Sequence, residues 1–280
     1  MKIWILLLTV MSLTALSAGA QTVKEPFRVT VGEYEVYILT EGGGDGETNL
    51  LIDAPTEVLE KYAPKGTFSI AVHAILVKGK GSTVLIDTGY GLLLFENLEK
   101  LGIAPEDVNR VLLTHMHGDH IGGMFRDGMK AFPNVEVVLS GKEYAYWKET
   151  DDTGALKVLS EYSEKIIIME PLAVGSDTRD GILPVAAYGH TPGHIMYLLQ
   201  DGGERLLIWG DVTHAMTVQM PHPEISIIYD LDPGMARTSR LEVLEYVARE
   251  GIPVVGMHIP VPGTGTVSRN GTGYVFQPGS

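Results

Sequence analysis

The stretch Thr114-His115-Met116-His117-Gly118-Asp119-His120 places three imidazoles and one carboxylate within six positions. It follows the apolar run Val111-Leu112-Leu113, which predicts a buried strand that ends at the histidines. Alternate residues of an extended segment point the same way, so His115 and His117 can hold one ion, and Asp119 and His120 can turn towards a second after Gly118. A single histidine beside a strand is usually a core residue. Four ligand-type side chains this close together indicate a metal site, because imidazole and carboxylate are ligands that Zn²⁺ and similar ions prefer.

Three later apolar runs also end on candidate ligands. Val185–Tyr188 leads into Gly189-His190-Thr191-Pro192-Gly193-His194, Leu206–Trp209 leads into Asp211, and Val254–Met257 leads into His258. Ligands carried by loops at one edge of a sheet converge on a common cleft, which is the usual place for a site in an α/β architecture.

The rest of the chain alternates short β runs with helical stretches, and no short repeat or linker divides it. We expect Glu41–Glu47 to be a glycine-rich turn and Leu59–Lys65 to be a connecting stretch. Phe27–Thr40 is predicted to be a strand or a hairpin. The other predicted strands are Ile70–Val77, Ser82–Ile86, Val108–Leu113, Val135–Leu139, Ile166–Met169 and Ile195–Leu199. Helices are predicted at Leu92–Leu101, through Tyr144 and Trp147, at Leu156–Ser163 and at Thr238–Glu250.

The N-terminus has the pattern of a secretory signal peptide. Lys2 is followed by the apolar segment Ile3–Leu16 and by the small residues Ala18-Gly19-Ala20. We therefore expect residues 1–20 to be removed and residues 21–280 to form a single domain, exported to a bacterial periplasm or to the medium. No later run is long enough to span a bilayer. The chain has no cysteine, which excludes disulfides and thiolate ligands.

The composition limits the kinds of partner. Apolar residues make up 45% of the chain, and Asp plus Glu number 35 against 21 Lys plus Arg. The acidic balance, without a basic stripe, argues against nucleic acid as a partner. We expect a small, apolar or weakly charged substrate instead. The oligomeric state is left open by the sequence.

The histidine and aspartate motifs described above, in their order along the chain, resemble those of the metallo-β-lactamase superfamily. The resemblance rests on His-x-His-x-Asp-His, Thr-Pro-Gly-His, a Gly-Asp and a lone His after strands, and the upstream turn Asp87-Thr88-Gly89, and it runs from about Val72 to His258. It implies an α/β fold, the αββα sandwich, in which two mixed β-sheets pack face to face with helices on both outer surfaces.

The resemblance also implies a dinuclear site with two divalent ions, zinc first among them. His115, His117 and His194 would hold the first ion, and Asp119, His120 and His258 the second. Asp211 and a water or hydroxide would bridge the two. Asp87 would be a structural aspartate, and His190 a supporting residue rather than a ligand.

Within the superfamily, a bridging Asp211 resembles the lactonases, the glyoxalase II-type thioesterases and the methyl parathion hydrolase group. Residues 210–224, Tyr229-Asp230-Leu231-Asp232-Pro233 and the helix with Arg237 and Arg240 are most similar to the last group. His73 departs from it, since Asn is expected there. The implied activity is hydrolysis of a lactone or ester by the bridging hydroxide, with phosphotriester hydrolysis as a side activity.

Further residues of the loops are candidates for catalysis or substrate binding. Asp119 and Asp211 would orient the hydroxide, Asp119 would pass a proton to the leaving group, and His214 would support the oxyanion or the leaving group. His222 is interpreted as a loop residue. Apolar side chains that could line a pocket or simply fill the core are Met116, Met124, Phe125, Trp147, Met216 and Met220.

Three alternatives remain from the sequence. One is a periplasmic metallo-β-lactamase, and another is a mononuclear iron dioxygenase of the same fold, which a metal count would separate from a hydrolase. The third is a non-catalytic binding protein, which the complete ligand set disfavours.

Overall fold

The computed structural model describes residues 25–280, so the expected signal peptide at residues 1–20 lies outside the described residues. The strands of the described part are β1 (Phe27–Val31), β2 (Tyr34–Glu47), β3 (Leu51–Ile52), β4 (Thr67–Gly79), β5 (Ser82–Ile86), β6 (Arg110–Leu112), β7 (Phe125–Arg126), β8 (Met129–Lys130), β9 (Glu136–Ser140), β10 (Ile166–Met169), β11 (Gly181–Ala186), β12 (Ile195–Asp201), β13 (Glu204–Ile208), β14 (Ser226–Ile227), β15 (Val254–Val255), β16 (Thr264–Asn270) and β17 (Gly273–Pro278). The α-helices are α1 (Thr56–Tyr62), α2 (Leu94–Lys100), α3 (Gly118–Ile121), α4 (Gly141–Lys148), α5 (Thr153–Glu161), α6 (Met216–Gln219) and α7 (Pro233–Glu250). Short 3-10 helices occur at Thr48–Leu50, Pro105–Asp107, Gly122–Met124 and Ser163–Lys165.

Two mixed sheets contain most of the strands. The first has the order β1-β2-β4-β5-β6-β9-β10, antiparallel from β1 to β5 and parallel from β5 to β10. The second has the order β11-β12-β13-β15-β16-β17, in which only β13 and β15 are parallel. Both parallel regions end at the same side of the molecule, where the ligand candidates lie.

Three layers of apolar side chains hold the sheets and helices together. An inner core joins Ile75 and Ile86 of the first sheet to Ile195 and Ile208 of the second. Neighbouring residues along the same strands point outward because side chains alternate across a sheet. The outer face of the first sheet packs on α2, α4 and α5, and that of the second packs on α7. This arrangement confirms the αββα sandwich of two mixed sheets with helices on both outer faces.

The segment expected to be a glycine-rich turn is instead the second half of β2. It pairs with the first half of β4, after a register shift between Thr40 and Gly42. The backbone hydrogen bonds of this ribbon need no side chains, and a Cβ atom on Gly46 would lie 2.7 Å from the Phe68 ring. Glycine is required there by packing rather than by a turn. The stretch expected to be a connection likewise overlaps α1.

Helix α7 begins five residues before the predicted start at Thr238. Asp232 caps it by accepting the backbone N–H of Met235, and Pro233 occupies its first turn. It ends at Gly251, whose φ of 64° suits a residue without Cβ. Among residues 25–280, none of the helices is long and apolar enough to cross a membrane.

Candidate metal centre

The His-x-His-x-Asp-His segment lies directly after β6. His115 is fully buried, and His117 precedes the first residue of α3, so the chain turns into a helix at Gly118. This turn directs Asp119 and His120 to the opposite side of the site from His117. The predicted division of the segment between two ligand groups therefore agrees with the local backbone.

Asp87 fixes this segment from the neighbouring strand. Its carboxylate accepts the backbone N–H of Thr114 at 2.8 Å and the Thr114 hydroxyl at 2.7 Å. Its Oδ2 atom also lies 2.7 Å from His120 Nδ1, so Nε2 of that ring faces the site. Asp87 is completely buried and belongs to neither ligand group, in agreement with its interpretation as a structural aspartate.

The first ligand group consists of His115, His117, His190 and Asp211, whose ligand atoms all lie within 4.8 Å of one another. His117 Nδ1 is 3.0 Å from both His115 Nε2 and His190 Nε2. The sequence analysis placed His194 in this group, but the structure brings His190 there.

Both nitrogens of His194 are occupied by the protein backbone. Its Nδ1 lies 2.9 Å from the carbonyl oxygen of Ala187, and its Nε2 accepts the backbone N–H of Asp211 at 3.0 Å. His194 therefore supports the loop that carries Asp211 and has no nitrogen left for an ion. The prediction of His194 as a ligand is corrected in favour of His190.

The second ligand group consists of Asp119, His120 and His258. His258 Nε2 lies 3.3 Å from Asp119 Oδ2, and its Nδ1 lies 2.9 Å from the carbonyl oxygen of Ala71. That carbonyl orients the ring with Nε2 towards the site, as outer partners of metal-binding histidines usually do.

Asp211 contacts both groups. Its Oδ2 lies 3.1 Å from Nε2 of His190 and 3.1 Å from Nε2 of His258, and its Oδ1 lies 3.2 Å from His120 Nε2. A carboxylate in this position can offer one oxygen to each of two ions.

The donor set fits divalent cations. Despite their short separation, His120 Nε2 and Asp211 Oδ1 are buried without a hydrogen bond of acceptable geometry. Buried polar atoms are rarely left unpaired, so their convergence is better explained as a shell of ligands than as a hydrogen-bond network. Because the chain has no cysteine to supply a thiolate, the donors are imidazole and carboxylate, which favour Zn²⁺ or a similar ion.

The imidazoles and carboxylates of the site shift one another's pKa values. Burial, followed by the nearby His190, lowers the pKa of His117 to about 3, so its imidazole is neutral. Although burial alone would raise it, His120, His258 and His115 hold the pKa of Asp211 well below its usual range. Against the opposing effect of burial, Asp211 raises the pKa of His190 to about 9 and that of His258 to about 10, so metal binding to these two rings would release protons.

His214 is not part of the predicted ligand set, but it forms a third group of possible ligands with Asp211 and His258, whose ligand atoms lie within 4.8 Å of one another. Its Nε2 is 3.1 Å from Asp211 Oδ2, and its ring stacks on that of His258 with centroids 4.7 Å apart. The ring is buried, and its Nδ1 atom has no hydrogen-bond partner among the described residues. The structure thus places His214 at the centre, whereas His222 lies on a partly exposed loop beside Glu224.

The sequence analysis missed Glu143. This buried carboxylate accepts the backbone N–H of Met116 and the Thr191 hydroxyl, and so joins the two loops that carry His115, His117 and His190. A glutamate inside a short helix carries no signal of such a role. The methionines and Trp147 considered for a substrate pocket belong to the outer cores, and Trp147 also lies edge-on to the His117 ring, with ring centroids 5.6 Å apart.

Comparisons with known proteins point to one superfamily. The family model described as Metallo-beta-lactamase superfamily matches residues 70–258. A solved structure of AidC, a dizinc quorum-quenching lactonase, superimposes with a TM-score of 0.84 at 24% identity, covering 92% of this chain and 98% of that one. The hydrolase AbOPH in the beta lactamase superfamily superimposes with a TM-score of 0.81 at 30% identity, covering 93% of this chain and 99% of that one.

Curated relatives match over shorter regions. Ribonuclease TTHA0252 of Thermus thermophilus is 30% identical over 175 residues, which are 58% of this chain and 39% of that protein. Hydroxyacylglutathione hydrolase of Pectobacterium carotovorum is 28% identical over 123 residues, which are 44% of this chain and 41% of that protein. The chain thus spans about two fifths of the length of these two relatives. Because one of them is a ribonuclease, the expectation of no nucleic-acid partner stays a prediction. The chain belongs to the metallo-beta-lactamase superfamily.

Proposed function

We propose that this protein is an exported dinuclear hydrolase, with zinc as its metal, that opens a lactone or cleaves an ester. The observation that carries the proposal is the position of Asp211, whose Oδ2 lies against His190 of the first ligand group and whose Oδ1 lies against His120 of the second. We assign His115, His117 and His190 to one ion, and Asp119, His120 and His258 to the other, with Asp211 shared between them.

Two bound ions would lower the pKa of a water that they share and polarise the carbonyl oxygen of the substrate. The residues of the chain supply orientation and proton transfer. Asp119 is ionised, because His120 and His258 lower its pKa although burial alone would raise it, and it can accept a proton and pass it to the leaving group. His214 is placed to donate a hydrogen bond to the oxyanion or to the leaving oxygen.

Neutral substrates fit the surroundings of the centre. Tyr229 packs near His214, with ring centroids 6.2 Å apart, and Ile228 and Leu231 on the same loop are exposed. An apolar lactone, an aryl ester or, as a side activity, a phosphotriester suits such a loop better than a polyanion. The solved relative AidC is described as a lactonase, which supports the same ranking.

The test combines a metal count with a set of substrates. The protein, purified without chelator, is analysed for metals and assayed on an acyl-homoserine lactone, an aryl ester, a phosphotriester, a cephalosporin and an RNA. We expect about two zinc ions per chain and best turnover of the lactone or ester, both lost in Asp211→Ala. One iron per chain would favour the dioxygenase, and best turnover of the cephalosporin or RNA would replace the proposed substrate class.

Export is tested separately. Mass spectrometry of the protein recovered from a bacterial host should show Gln21 as the new N-terminus and should find the protein in the periplasm or medium. Full-length protein retained in the cytoplasm would contradict the proposed location.

A further inference from the structure

A chain of buried charges runs from α7 to the first ligand group. Arg240 on α7 is 1% exposed, and four of the five N–H groups of its guanidinium donate to the protein. It donates to three backbone carbonyl oxygens and one carboxylate: Val212 O at 2.8 Å, Pro223 O at 3.1 Å, Ile225 O at 2.9 Å and Asp230 Oδ2 at 3.2 Å. Arg240 thus fixes the loop that begins at Asp211 and the loop that contains Asp230.

Asp230 continues the chain to His190. Its Oδ1 lies 2.9 Å from His190 Nδ1, while its Oδ2 accepts from Arg240 and from the backbone N–H of Ile227. The backbone N–H of Leu231 also donates to the carbonyl oxygen of His190 at 2.9 Å. His190 is therefore held at its ring and at its main chain by the same short segment.

The geometry points to Asp230 and Arg240 as positioning residues for His190, and this inference rests on the proposed dinuclear site. Because the Oδ1 of an ionised Asp230 can only accept, it holds the His190 proton on Nδ1 and leaves the lone pair of Nε2 facing His117 and Asp211. Arg240 keeps the carboxylate charged and in place. Neither residue touches the substrate.

The arrangement repeats on the other side of the site. Asp87 stands behind His120 as Asp230 stands behind His190, each with a carboxylate oxygen within 2.9 Å of the Nδ1 atom. Each ligand group therefore has one histidine whose tautomer is set by a buried aspartate. Such outer carboxylates make the histidine a better ligand.

The first test measures zinc affinity in Asp230→Asn. An asparagine can turn its amide NH₂ towards His190 Nδ1 and so favour the tautomer that cannot bind through Nε2. Zinc alone is titrated into metal-free, folded protein in competition with a chromophoric chelator. We expect at least one of the two dissociation constants to rise by about 10–100-fold, the range for such outer partners.

The matched control is Arg237→Met, one turn earlier on the same helix, where the side chain is exposed. It should bind zinc as the unaltered protein does, whereas Arg240→Met should weaken binding in the same direction as Asp230→Asn. A purely structural role would lower the melting temperature of the metal-free protein without changing either dissociation constant. The inference would therefore be overturned if folded Asp230→Asn had both zinc dissociation constants within twofold of those of the unaltered protein.

A second measurement leaves Asp230 and Arg240 unaltered. Long-range ¹H–¹⁵N NMR spectra of the zinc-loaded protein report which nitrogen of each histidine carries the proton, and His190→Gln assigns the signal. We expect the His190 proton on Nδ1. A proton on Nε2 of His190 would overturn the positioning role of Asp230 and Arg240. The dinuclear proposal would still stand if the unaltered protein held about two zinc ions per chain. Failure of the unaltered protein to bind zinc would instead overturn the proposed function and this inference with it.

Discussion

At the scale of single residues, Glu143 joins the loops at Met116 and Thr191, which are 75 residues apart in sequence. Its Oε1 accepts from Met116 N–H and from the Trp147 indole, and its Oε2 accepts from the Thr191 hydroxyl and from Gly193 N–H. A carboxylate can satisfy four donors because both of its oxygens are acceptors. An amide cannot, since its NH₂ group would face two of those donors.

We therefore expect Glu143→Gln to lower the free energy of unfolding of the metal-free protein by about 2 kcal/mol, the cost of leaving buried donors unpaired. Zinc affinity should also fall, because the loops with His117 and His190 lose their common anchor. Urea unfolding and zinc titration measure the two effects. Glu149→Gln, at an exposed position just beyond α4, is the control, and equal stability of the two variants would contradict the role of Glu143.

His214 and His222 provide a second test at this scale. His214 lies in a possible ligand group with Asp211 and His258, but we assign it to the oxyanion or leaving group rather than to an ion. His214→Ala should therefore keep about two zinc ions while turnover falls at least about tenfold, as for other lost transition-state donors. His222→Ala, on the partly exposed loop, should stay within about twofold of the unaltered protein. Loss of zinc from His214→Ala would show instead that His214 is a ligand.

The two histidines of Gly189-His190-Thr191-Pro192-Gly193-His194 show what the sequence could not decide. Both residues are ligand types, and the motif leaves them only four positions apart. The choice depends on the path of the turn and on distant partners, namely Asp230 behind His190 and the carbonyl of Ala187 beside His194. The His-x-His-x-Asp-His segment was easier to interpret because its spacing follows from strand and helix geometry alone.

At the scale of elements, Glu41 acts as a remote cap for α2. This helix has no side-chain cap of its own, and the buried Glu41 carboxylate accepts the N–H groups of Leu92 at 2.7 Å and Leu93 at 3.0 Å. Burial nevertheless raises the pKa of Glu41 from 4.5 to about 7, against the opposing effect of these hydrogen bonds. Glu41 of β2 thus holds the loop that leads from Asp87 to α2 by hydrogen bonds to a carboxyl group that titrates near neutral pH.

The raised pKa predicts a dependence of stability on pH. Between pH 4.5 and about 7 the folded state holds a proton that the unfolded state releases, so the stabilisation present below pH 4.5 is lost as the pH rises through this window. The loss amounts to at most ~1.4 kcal/mol per pH unit. Urea unfolding at several pH values should show the difference between the unaltered protein and Glu41→Gln shrinking up to about pH 7 and then levelling off. Glu60→Gln, at an exposed position on α1, should show no such trend, and a constant difference for Glu41→Gln would refute the prediction.

Several strands could be predicted from the sequence because apolar runs flanked by turn residues indicate them. The predicted bounds of Ser82–Ile86 and Ile166–Met169 are those that the structure shows, although Ile166–Met169 is the edge strand of its sheet and exposes Ile167 and Ile168. The second half of β2 was missed because its glycines carry no periodic pattern. The early start of α7 was missed because Pro233 and Gly234 resemble a turn, although Asp232 and Pro233 are good residues for a helix start.

At the scale of the whole molecule, the pairing of the two sheets was expected only from the family resemblance. Apolar alternation shows that Ile86 and Ile208 are buried, but not that they face each other across the inner core. That contact joins distant parts of the chain. The Tyr197 hydroxyl likewise donates a hydrogen bond of 2.9 Å from one sheet to the carbonyl oxygen of Leu113, at the end of a strand of the other. This bond sets the distance between the ligand loops.

Because the ligand atoms come from both sheets, metal binding should stabilise the whole fold. His115 and His120 follow the first sheet, whereas Asp211 and His258 follow strands of the second, and only the folded chain brings them together. A ligand at 1,000 times its dissociation constant adds about 4 kcal/mol to the free energy of unfolding.

Removal of zinc by a chelator should therefore lower the melting temperature by at least several degrees, and added zinc should restore it. Calorimetry of the loaded and chelated protein measures the change, with elemental analysis to confirm that the metal has left. Asp211→Ala, which removes the residue shared by both groups, should melt at nearly the same temperature with or without chelator. An equal melting temperature for loaded and metal-free unaltered protein would mean that the two sheets do not depend on the ions they are proposed to share.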